Sequence, residues 1–202
     1  MKKILTIAII SIAFFASCGT RKCATLTTDE GVVIDGVRWA TRNVDAPGTF
    51  APYPESFGML FQWGRRKGWA VTGDVEGWDS YCYEGVNWEK ENDPCPEGWR
   101  VPTFDEIRTF GHIESEWITK NGVNGRLLGT APYQIFLPAA GFRNIHGFAF
   151  NTNAVGFYWS GSRSRRSWGL RNEWHFWFHS VSTEGSSGSR ALGYSIRCVA
   201  IE

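Results

Sequence analysis

An alternating apolar pattern near the end of the chain constrains the fold more than any other feature of the sequence. Apolar or small residues at every second position alternate there with a mostly polar or glycine set: Leu192, Tyr194, Ile196, Cys198 and Ala200 against Gly193, Ser195, Arg197 and Val199. A period of two residues is that of a β-strand with one buried face. The sequence therefore predicts a final strand over 192–200 that carries Cys198 towards the core.

A β-hairpin is predicted near the start of the chain, where two apolar runs flank a two-residue loop. Val32–Ile34 and Val37–Ala40 lie on either side of Asp35-Gly36, and the glycine accepts the positive φ of a type I′ turn. The segment 45–93 is rich in Gly, Pro, Trp and acidic residues and shows little periodicity, apart from the apolar run Met59–Trp63. We interpret it as mostly loop, either functional or held in place by its aromatic side chains.

One helix is predicted in the middle of the chain. Thr103 and Glu106 have the spacing of a capping box, in which each side chain accepts a hydrogen bond from the backbone of the other. Apolar residues at helical spacing follow, at Phe104, Ile107, Phe110, Ile113 and Trp117, and Asn121-Gly122 is expected to end the helix. Further short strands are expected at Ile135–Leu137, at Phe157–Ser160 and within 167–180.

The N-terminal residues have the pattern of an export signal. Lys2 and Lys3 precede an apolar stretch, Ile4–Ala16, that is too short to span a bilayer as a helix. The sequence Phe15-Ala16-Ser17-Cys18 resembles the lipobox of bacterial lipoproteins, whose cysteine is acylated and becomes the mature N-terminus; an ordinary secretory signal that leaves Cys18 as a thiol is the alternative. We expect a signal peptide at 1–17, a lipidated tether at 18–30 and one domain at 31–202, anchored by lipid in the cell envelope, on the periplasmic or surface side of the outer membrane.

Length and charge limit the possible functions. Removal of residues 1–17 from the 202-residue chain leaves enough for one domain with a sizeable core. Two of the 21 basic residues and none of the 20 acidic residues lie in the signal, so the remaining chain is nearly neutral. Such a balance does not attract nucleic acid.

Four cysteines follow Cys18, and they are expected in a compartment where disulfides persist. They are Cys23, Cys82, Cys95 and Cys198, which allow three pairings. A bridge from Cys95 to Cys198 would close a long loop and stabilise the fold by about 4–5 kcal/mol. Reduced, buried thiols are the alternative, above all for Cys23 and Cys82.

Several segments resemble one known family. The string from Asp93 to Thr103, Asp-Pro-Cys-Pro-Glu-Gly-Trp-Arg-Val-Pro-Thr, is similar to one in the Fibrobacter succinogenes major paralogous domain family. Other family-like pieces occur in order at Val37–Asp45, Phe136–Arg143, Gly156–Ser160 and Gly193–Val199. The resemblance covers about residues 32–200.

The resemblance implies a fold and a disulfide. The fold would be α+β and loop-rich, similar to C-type lectins and to formylglycine-generating enzymes, with two short helices and small antiparallel sheets whose first and last strands meet. A bridge from a cysteine near the first helix to the last strand would match Cys95 and Cys198. The function of the family is poorly defined, and a fold does not determine function.

The segment 162–190 is the predicted binding surface, because C-type-lectin-like proteins carry their ligand loops at about this position. It combines arginines with tryptophans, which suit sugar rings, carboxylates or peptides. The candidate ligand-binding residues are Arg163, Arg165, Arg166, Trp168, Arg171, Trp174 and Trp177. The alternative is that the aromatic side chains pack in the core and the arginines form a solvated face.

Metal sites have weaker support. His175 and His179 have a spacing that suits zinc, but no third ligand is apparent. Seven acidic residues between 74 and 93 could suit calcium, yet their spacing is irregular and no D-x-D-x-D-G pattern occurs. We therefore expect no metal or cofactor, with calcium as the weaker alternative.

These features favour a lipid-anchored binding or adhesion module, with no catalytic residues, that recognises a glycan or a protein. A structural envelope or fimbrial lipoprotein is the second reading. An envelope enzyme acting on glycans or thiols is the third, although no G-x-S-x-G frame and no close partner for Cys198 is present.

Overall fold

The computed structural model describes residues 27–81, 88–164 and 172–202, with Asn172 as backbone only. Strands account for 38% of these residues and helices for 7%. The strands in chain order are β1 (Val32–Ile34), β2 (Val37–Trp39), β3 (Leu60–Gln62), β4 (Gly68–Trp69), β5 (Trp99–Arg100), β6 (Ser115–Lys120), β7 (Val123–Leu128), β8 (Ile135–Pro138), β9 (Phe142–Arg143), β10 (Ala149–Phe150), β11 (Gly156–Arg163), β12 (Asn172–Phe178), β13 (Thr183–Ser189), β14 (Gly193–Tyr194) and β15 (Val199–Ala200). Helix α1 spans Phe104–Ile107, and 3-10 turns span Lys90–Asn92 and Arg108–Gly111.

The strands form four small antiparallel sheets. Their orders are β1-β2-β15-β5, β10-β9-β14-β3-β4, β11-β12-β13 and β6-β7-β8. The α+β, C-type-lectin-like prediction is therefore wrong: the described part of the chain is mostly β, and its one α-helix has four residues. No helix in this part is long and apolar enough to cross a bilayer.

The predicted N-terminal hairpin is confirmed. Strands β1 and β2 pair from Val32↔Trp39 to Ile34↔Val37. The loop residues Asp35 and Gly36 have φ of 49° and 79°, as a type I′ turn requires. Trp39 then pairs with Val199 of β15, so early and late strands lie side by side.

The predicted helix is shorter than its pattern indicated. The capping box between Thr103 and Glu106 is present, but α1 ends at Ile107 and a 3-10 turn ends at Gly111. Residues 115–120 form β6 instead, which pairs with β7 across Asn121-Gly122. These two residues have φ of 51° and 80°, and Asn-Gly is as strong a hairpin signal as it is a helix stop. The apolar spacing of Ile113 and Trp117 therefore belongs to the entry into a strand.

The predicted final strand is split between two sheets. Gly193–Tyr194 pairs with β3 and β9, whereas Val199–Ala200 pairs with β2 and β5. Residues 195–198 between them are fully buried, including Arg197. Its guanidinium donates to the Asn43 side-chain oxygen at 2.7 Å and to the Phe136 carbonyl at 3.0 Å. The alternation thus describes a segment buried on both faces, where hydrogen bonds satisfy the Arg197 side chain.

One strand forms where the composition opposes it. Residues 183–189, Thr-Glu-Gly-Ser-Ser-Gly-Ser, pair along their whole length with β12, although Gly and Ser are weak strand formers. A Cβ at Gly185 would lie 3.0 Å from the Phe104 ring. Glycine here lets α1 pack directly on the sheet, so packing explains the residue choice.

Two large apolar clusters and a small one around Leu60, Val71 and Ala140 fill the interior of the described part of the chain. One large cluster contains Trp39, Phe110 and Phe176, beneath α1, and the other surrounds Trp63, Trp159 and Tyr194. The second cluster includes Cys95 and Cys198, whose sulfur atoms are 2.07 Å apart, which is the expected pairing.

Residues before the expected domain boundary at residue 31 also pack on the domain. The Asp29 carboxylate accepts hydrogen bonds from the Thr41 backbone N–H at 3.1 Å and from Arg42 Nε at 3.2 Å. Its side chain is only 1% exposed. The last residues of the expected tether therefore pack on the domain.

Candidate functional site

A groove of about 780 Å³ lies beside the disulfide. We call it the main groove. The segment 93–103 forms one wall, Gly161 and Ser162 of β11 adjoin it, and the lining also includes Arg66, Trp88, Lys90 and Ile201. It combines apolar walls with a few polar groups, as ligand sites commonly do.

Asp93 organises the first wall. Its two carboxylate oxygens accept from the backbone N–H of Cys95 at 2.8 Å and of Val101 at 3.0 Å. Burial raises the pKa of this carboxyl, although both hydrogen bonds oppose the shift. The Cys95–Cys198 bond fastens the same wall to the core, so the groove has a rigid side.

The edge of β5 that does not pair with β15 also lies in this wall. The Trp99 N–H donates to the Pro96 carbonyl at 3.0 Å, and the Val101 N–H donates to Asp93. The Val101 carbonyl accepts from Arg100 at 3.3 Å. Hydrogen bonds within the wall therefore occupy backbone groups that a further strand would need for pairing.

Two half-buried tryptophans line the groove. The Trp88 ring meets Trp63 edge to face, with centroids 5.6 Å apart, and its Nε1 donates to the Asn92 carbonyl at 2.9 Å. The Trp99 ring meets Phe50 at 5.6 Å and an angle of 88°. Each ring is thus fixed on one side by the core and lines the groove on another.

Charged side chains of both signs surround these rings. Arg100 binds Glu106 through two nitrogens, at 2.9 and 2.7 Å. Burial opposes ionisation of Glu106, but hydrogen bonds from Arg100 and Thr103 keep its pKa below the ordinary value. Arg66 donates to the Asp93 carbonyl, and Lys90 is exposed at the groove.

Helix α1 connects the first wall to β11. The Gly161 N–H donates to the Pro102 carbonyl at 2.8 Å, and the Phe104 N–H donates to Ser162 Oγ at 2.9 Å. The start of the predicted binding segment therefore contributes to the groove through its first residue, Ser162.

Of the predicted binding residues, the structure describes Arg163, Trp174 and Trp177, and it places the two tryptophans apart. Trp174 stacks on Phe104 with centroids 4.2 Å apart, whereas Trp177 lies nearly parallel to Phe157 at 6.2 Å. An odd spacing on one strand puts Trp174 and Trp177 on opposite faces of β12. Arg163 is exposed at the end of β11. Arg165, Arg166, Trp168 and Arg171, together with Cys18, Cys23 and Cys82, lie outside the described residues.

A buried ion pair lies at the base of this segment. Glu173 accepts from Arg190 Nε at 2.7 Å and from the Ser164 N–H at 2.8 Å. The Arg190 guanidinium also lies 4.7 Å from the Trp63 ring centroid. The pair joins β12 to the chain between β13 and β14, and nothing in the sequence spacing of 173 and 190 indicated it.

The two histidines have structural positions. His175 is buried among Trp159 and Tyr194, and burial lowers its pKa to about 4. His179 lies in the β12–β13 turn, where its Nε2 is 2.9 Å from Ser182 Oγ. Residues 27–81, 88–164 and 172–202 contain no group of three or more His, Cys, Asp or Glu side chains that could hold a metal ion.

The acidic loop has local roles as far as it is described. Asp79 binds Arg65 at 3.2 Å and accepts from the Tyr81 N–H at 3.0 Å. Asp93 caps the wall of the main groove, as described above. Glu84 lies outside the described residues.

Comparisons of the chain with models of protein families, with curated proteins and with solved structures each found no significant match. The function is therefore argued from the geometry of the described residues.

The sequence did not identify the main groove as a site. In the sequence, the string 93–103 indicates only a family resemblance, although its Pro, Trp and Arg residues form most of one wall. The available signal was the density of Trp and Pro from 88 to 102, since rigid aromatic segments of this kind often line ligand sites.

Proposed function

We propose that this chain is a binding module of the cell envelope, attached to a membrane by lipid on Cys18, that recognises a glycan through the main groove. The observation that carries the proposal is the pairing of two fixed, half-buried tryptophan rings with polar side chains in one groove. Sugar rings offer apolar C–H faces that pack on aromatic rings, and hydroxyls that bind charged and polar groups.

The polar groups of the groove suit hydroxyl ligands. Lys90 and Glu97 are exposed at the groove. An ammonium donates and a carboxylate accepts hydrogen bonds. Together they match the mixed donor and acceptor character of a sugar.

A protein ligand is the second candidate, and the β5 edge disfavours one common mode of binding it. An extended peptide binds an edge by adding a strand, which needs unpaired backbone groups. At this edge, the Trp99 and Val101 N–H groups already donate within the wall. A glycan held by side chains is therefore the better fit.

We propose no reaction. The carboxylates of Asp93 and Glu106 are engaged by backbone N–H groups and by Arg100, respectively. Such engagement favours structural roles for these two groups over acid–base roles.

The groove hypothesis is tested by screening the protein against an array of bacterial and plant polysaccharides, together with a Trp88→Ala variant. We expect the variant to remain folded and to bind about tenfold or more weakly, because truncating a central aromatic anchor commonly removes at least about 1–2 kcal/mol of binding free energy. Trp174→Ala is the control, since Trp174 packs on Phe104 and does not line the main groove. Equal affinity of the parent and the Trp88→Ala variant, or no binding to any glycan, would reject the proposal.

The anchor is tested separately. In cells fed with radioactive palmitate, the parent should incorporate label and a Cys18→Ser variant should not, because acylation requires the thiol. Label retained by the variant would contradict acylation at Cys18.

A further inference from the structure

An exposed aromatic surface lies on the hairpin formed by β9 and β10. Phe142 and Phe150 pair across the two strands, and their rings lie nearly parallel with centroids 5.7 Å apart. Phe148 precedes Phe150 by two residues and therefore shares its side of the hairpin. Phe148 and Phe150 are 60% and 45% exposed, which is uncommon for such large apolar side chains when they occur together.

This surface continues onto a second sheet. The Phe157 ring of β11 lies 5.0 Å from Phe142, and Trp177 of β12 lies 6.2 Å from Phe157. Both side chains are half-buried. Phe142, Phe148, Phe150, Phe157 and Trp177 together are called the aromatic face.

The turns of the two contributing hairpins expose aliphatic side chains. In the β9–β10 turn, the Gly147 N–H donates to the Asn144 carbonyl at 2.9 Å, and Ile145 between them is 40% exposed. In the β12–β13 turn, Val181 is 83% exposed. Apolar side chains thus occur at the tips of these hairpins as well as along the aromatic face.

The segments that form this surface are almost free of acidic and basic side chains. No Asp, Glu, Lys or Arg occurs from Asn144 to Ser162 or from Trp174 to Thr183. Arg143 is fully buried and donates to carbonyls of residues 70–73. An exposed formal charge adjoins them at Glu184, which pairs with Trp177 across β12 and β13; the two segments themselves carry no acidic or basic side chain that an apolar environment would have to desolvate.

The arrangement of the rings favours a bilayer over a glycan as the partner of the aromatic face. Phe142 and Phe150 lie within 22° of parallel, and Phe157 and Trp177 within 21°, so neighbouring rings cover part of one another's faces. Apolar tips such as Phe148 and Val181 extend from turns. Glycan sites are usually concave and present polar groups, whereas exposed aromatic and aliphatic side chains suit the membrane interface.

We propose that the aromatic face rests on the surface of a lipid bilayer. Full extension of the chain from Cys18 to Asp29 spans about 40 Å at most, so a lipidated Cys18 keeps the whole domain close to the bilayer. Under that restriction even a weak affinity of one face for lipid sets the orientation of the domain. This inference uses the proposed anchor for proximity, and it does not depend on a glycan in the main groove.

The test uses the full chain reconstituted in phosphatidylcholine vesicles that contain a photoactivatable lipid. After illumination, mass spectrometry should locate the lipid adducts mainly in peptides covering 142–150 and 177–182. In a Phe148→Ser, Phe150→Ser variant these adducts should fall about tenfold, because two exposed apolar anchors are lost. Circular dichroism melting checks that the variant remains folded.

A matched control removes exposed aromatic rings elsewhere. Tyr53 and Tyr133 are 64% and 63% exposed, and a Tyr53→Ser, Tyr133→Ser variant should give the parental adduct pattern.

Adducts spread evenly over the domain, or unchanged in the Phe148→Ser, Phe150→Ser variant, would overturn the inference. Loss of the adducts when a soluble neutral glucan is added would also overturn it, by showing that a glycan occupies the face. A Trp88→Ala variant separates the two proposals, since it should lose glycan binding and keep the adducts.

Discussion

Arg143 is a buried cation that hydrogen-bonds backbone carbonyls. Its guanidinium donates to the carbonyls of Ala70 at 2.7 Å, Thr72 at 3.0 Å, Gly73 at 2.9 Å and Gly147 at 2.5 Å. Burial lowers its pKa, but the five donors of the fork match the carbonyls around it. The side chain thereby joins the loop after β4 to the β9–β10 turn.

An Arg143→Lys variant should be destabilised by about 2–4 kcal/mol. An ammonium on a shorter stem cannot reach all four carbonyls, and each buried acceptor left without a donor is costly. Urea unfolding measures the change. Arg108→Lys is the control: Arg108 and its partner Asp105 are 56% and 84% exposed, so it should stay within about 0.5 kcal/mol. Equal stabilities of the two variants would argue against this role.

His175 makes the stability depend on pH. No residue in the described part of the chain hydrogen-bonds its Nδ1, and burial lowers its pKa from 6.5 to about 4. The unfolded chain therefore binds a proton more readily than the folded one below pH 6.5. The stabilising contribution is complete above that value, and it falls as the pH decreases towards 4.

Replacement of His175 by Phe should remove this dependence. Between pH 7 and pH 4.5 the parent should lose about 2 kcal/mol of unfolding free energy that the variant keeps. Guanidinium unfolding at both pH values gives the comparison. Parallel losses in the two proteins would show that His175 is not the group responsible.

At the level of elements, the sequence predicted hairpins better than helices. The Asp35-Gly36 hairpin, the capping box and the strands at 135, 157 and 172 follow from local chemistry that a pattern can record. The helix predicted over 113–121 was wrong, because apolar residues three or four apart also occur in a strand that alternates imperfectly. Strand β13 was missed because its Gly185 is explained by Phe104, which is distant in sequence.

The candidate site was predictable only in part. Ser162 lies in both the predicted segment and the main groove, and the Cys95–Cys198 pairing was implied by resemblance. The groove itself needs contacts over long sequence distances, such as Gly161 with Pro102 and Trp88 with Trp63. No local spacing records such contacts.

The β6–β7 turn can be tested by substitution. Gly122→Ala should destabilise the protein by about 1 kcal/mol, because its φ of 80° is unfavourable for alanine although the added Cβ meets no atom within 4 Å. Gly111→Ala is the control, since its added Cβ is equally uncrowded and its φ is not in the left-handed region. Thermal melting should show a lower Tm for the first variant only. A reversed order would be inconsistent with the hairpin.

At the scale of the whole molecule, the disulfide fastens the middle of the chain to its end. It closes a span of 103 residues. A Cys95→Ser, Cys198→Ser variant should lose about 4–5 kcal/mol of unfolding free energy. It should also bind glycan more weakly, because Cys95 belongs to the groove wall. Chemical denaturation and the glycan array measure the two effects, and parental stability in the variant would contradict the first.

The edge of β5 has a consequence for neighbouring molecules if they are anchored in one membrane, as proposed for this chain. Anchored chains meet one another often, and exposed sheet edges join neighbouring molecules into aggregates. Here the carboxylate of Asp93 and the carbonyl of Pro96 occupy the positions from which a neighbour's strand would bind. The wall of the proposed ligand groove is thus also a barrier to strand pairing between neighbouring molecules through the β5 edge.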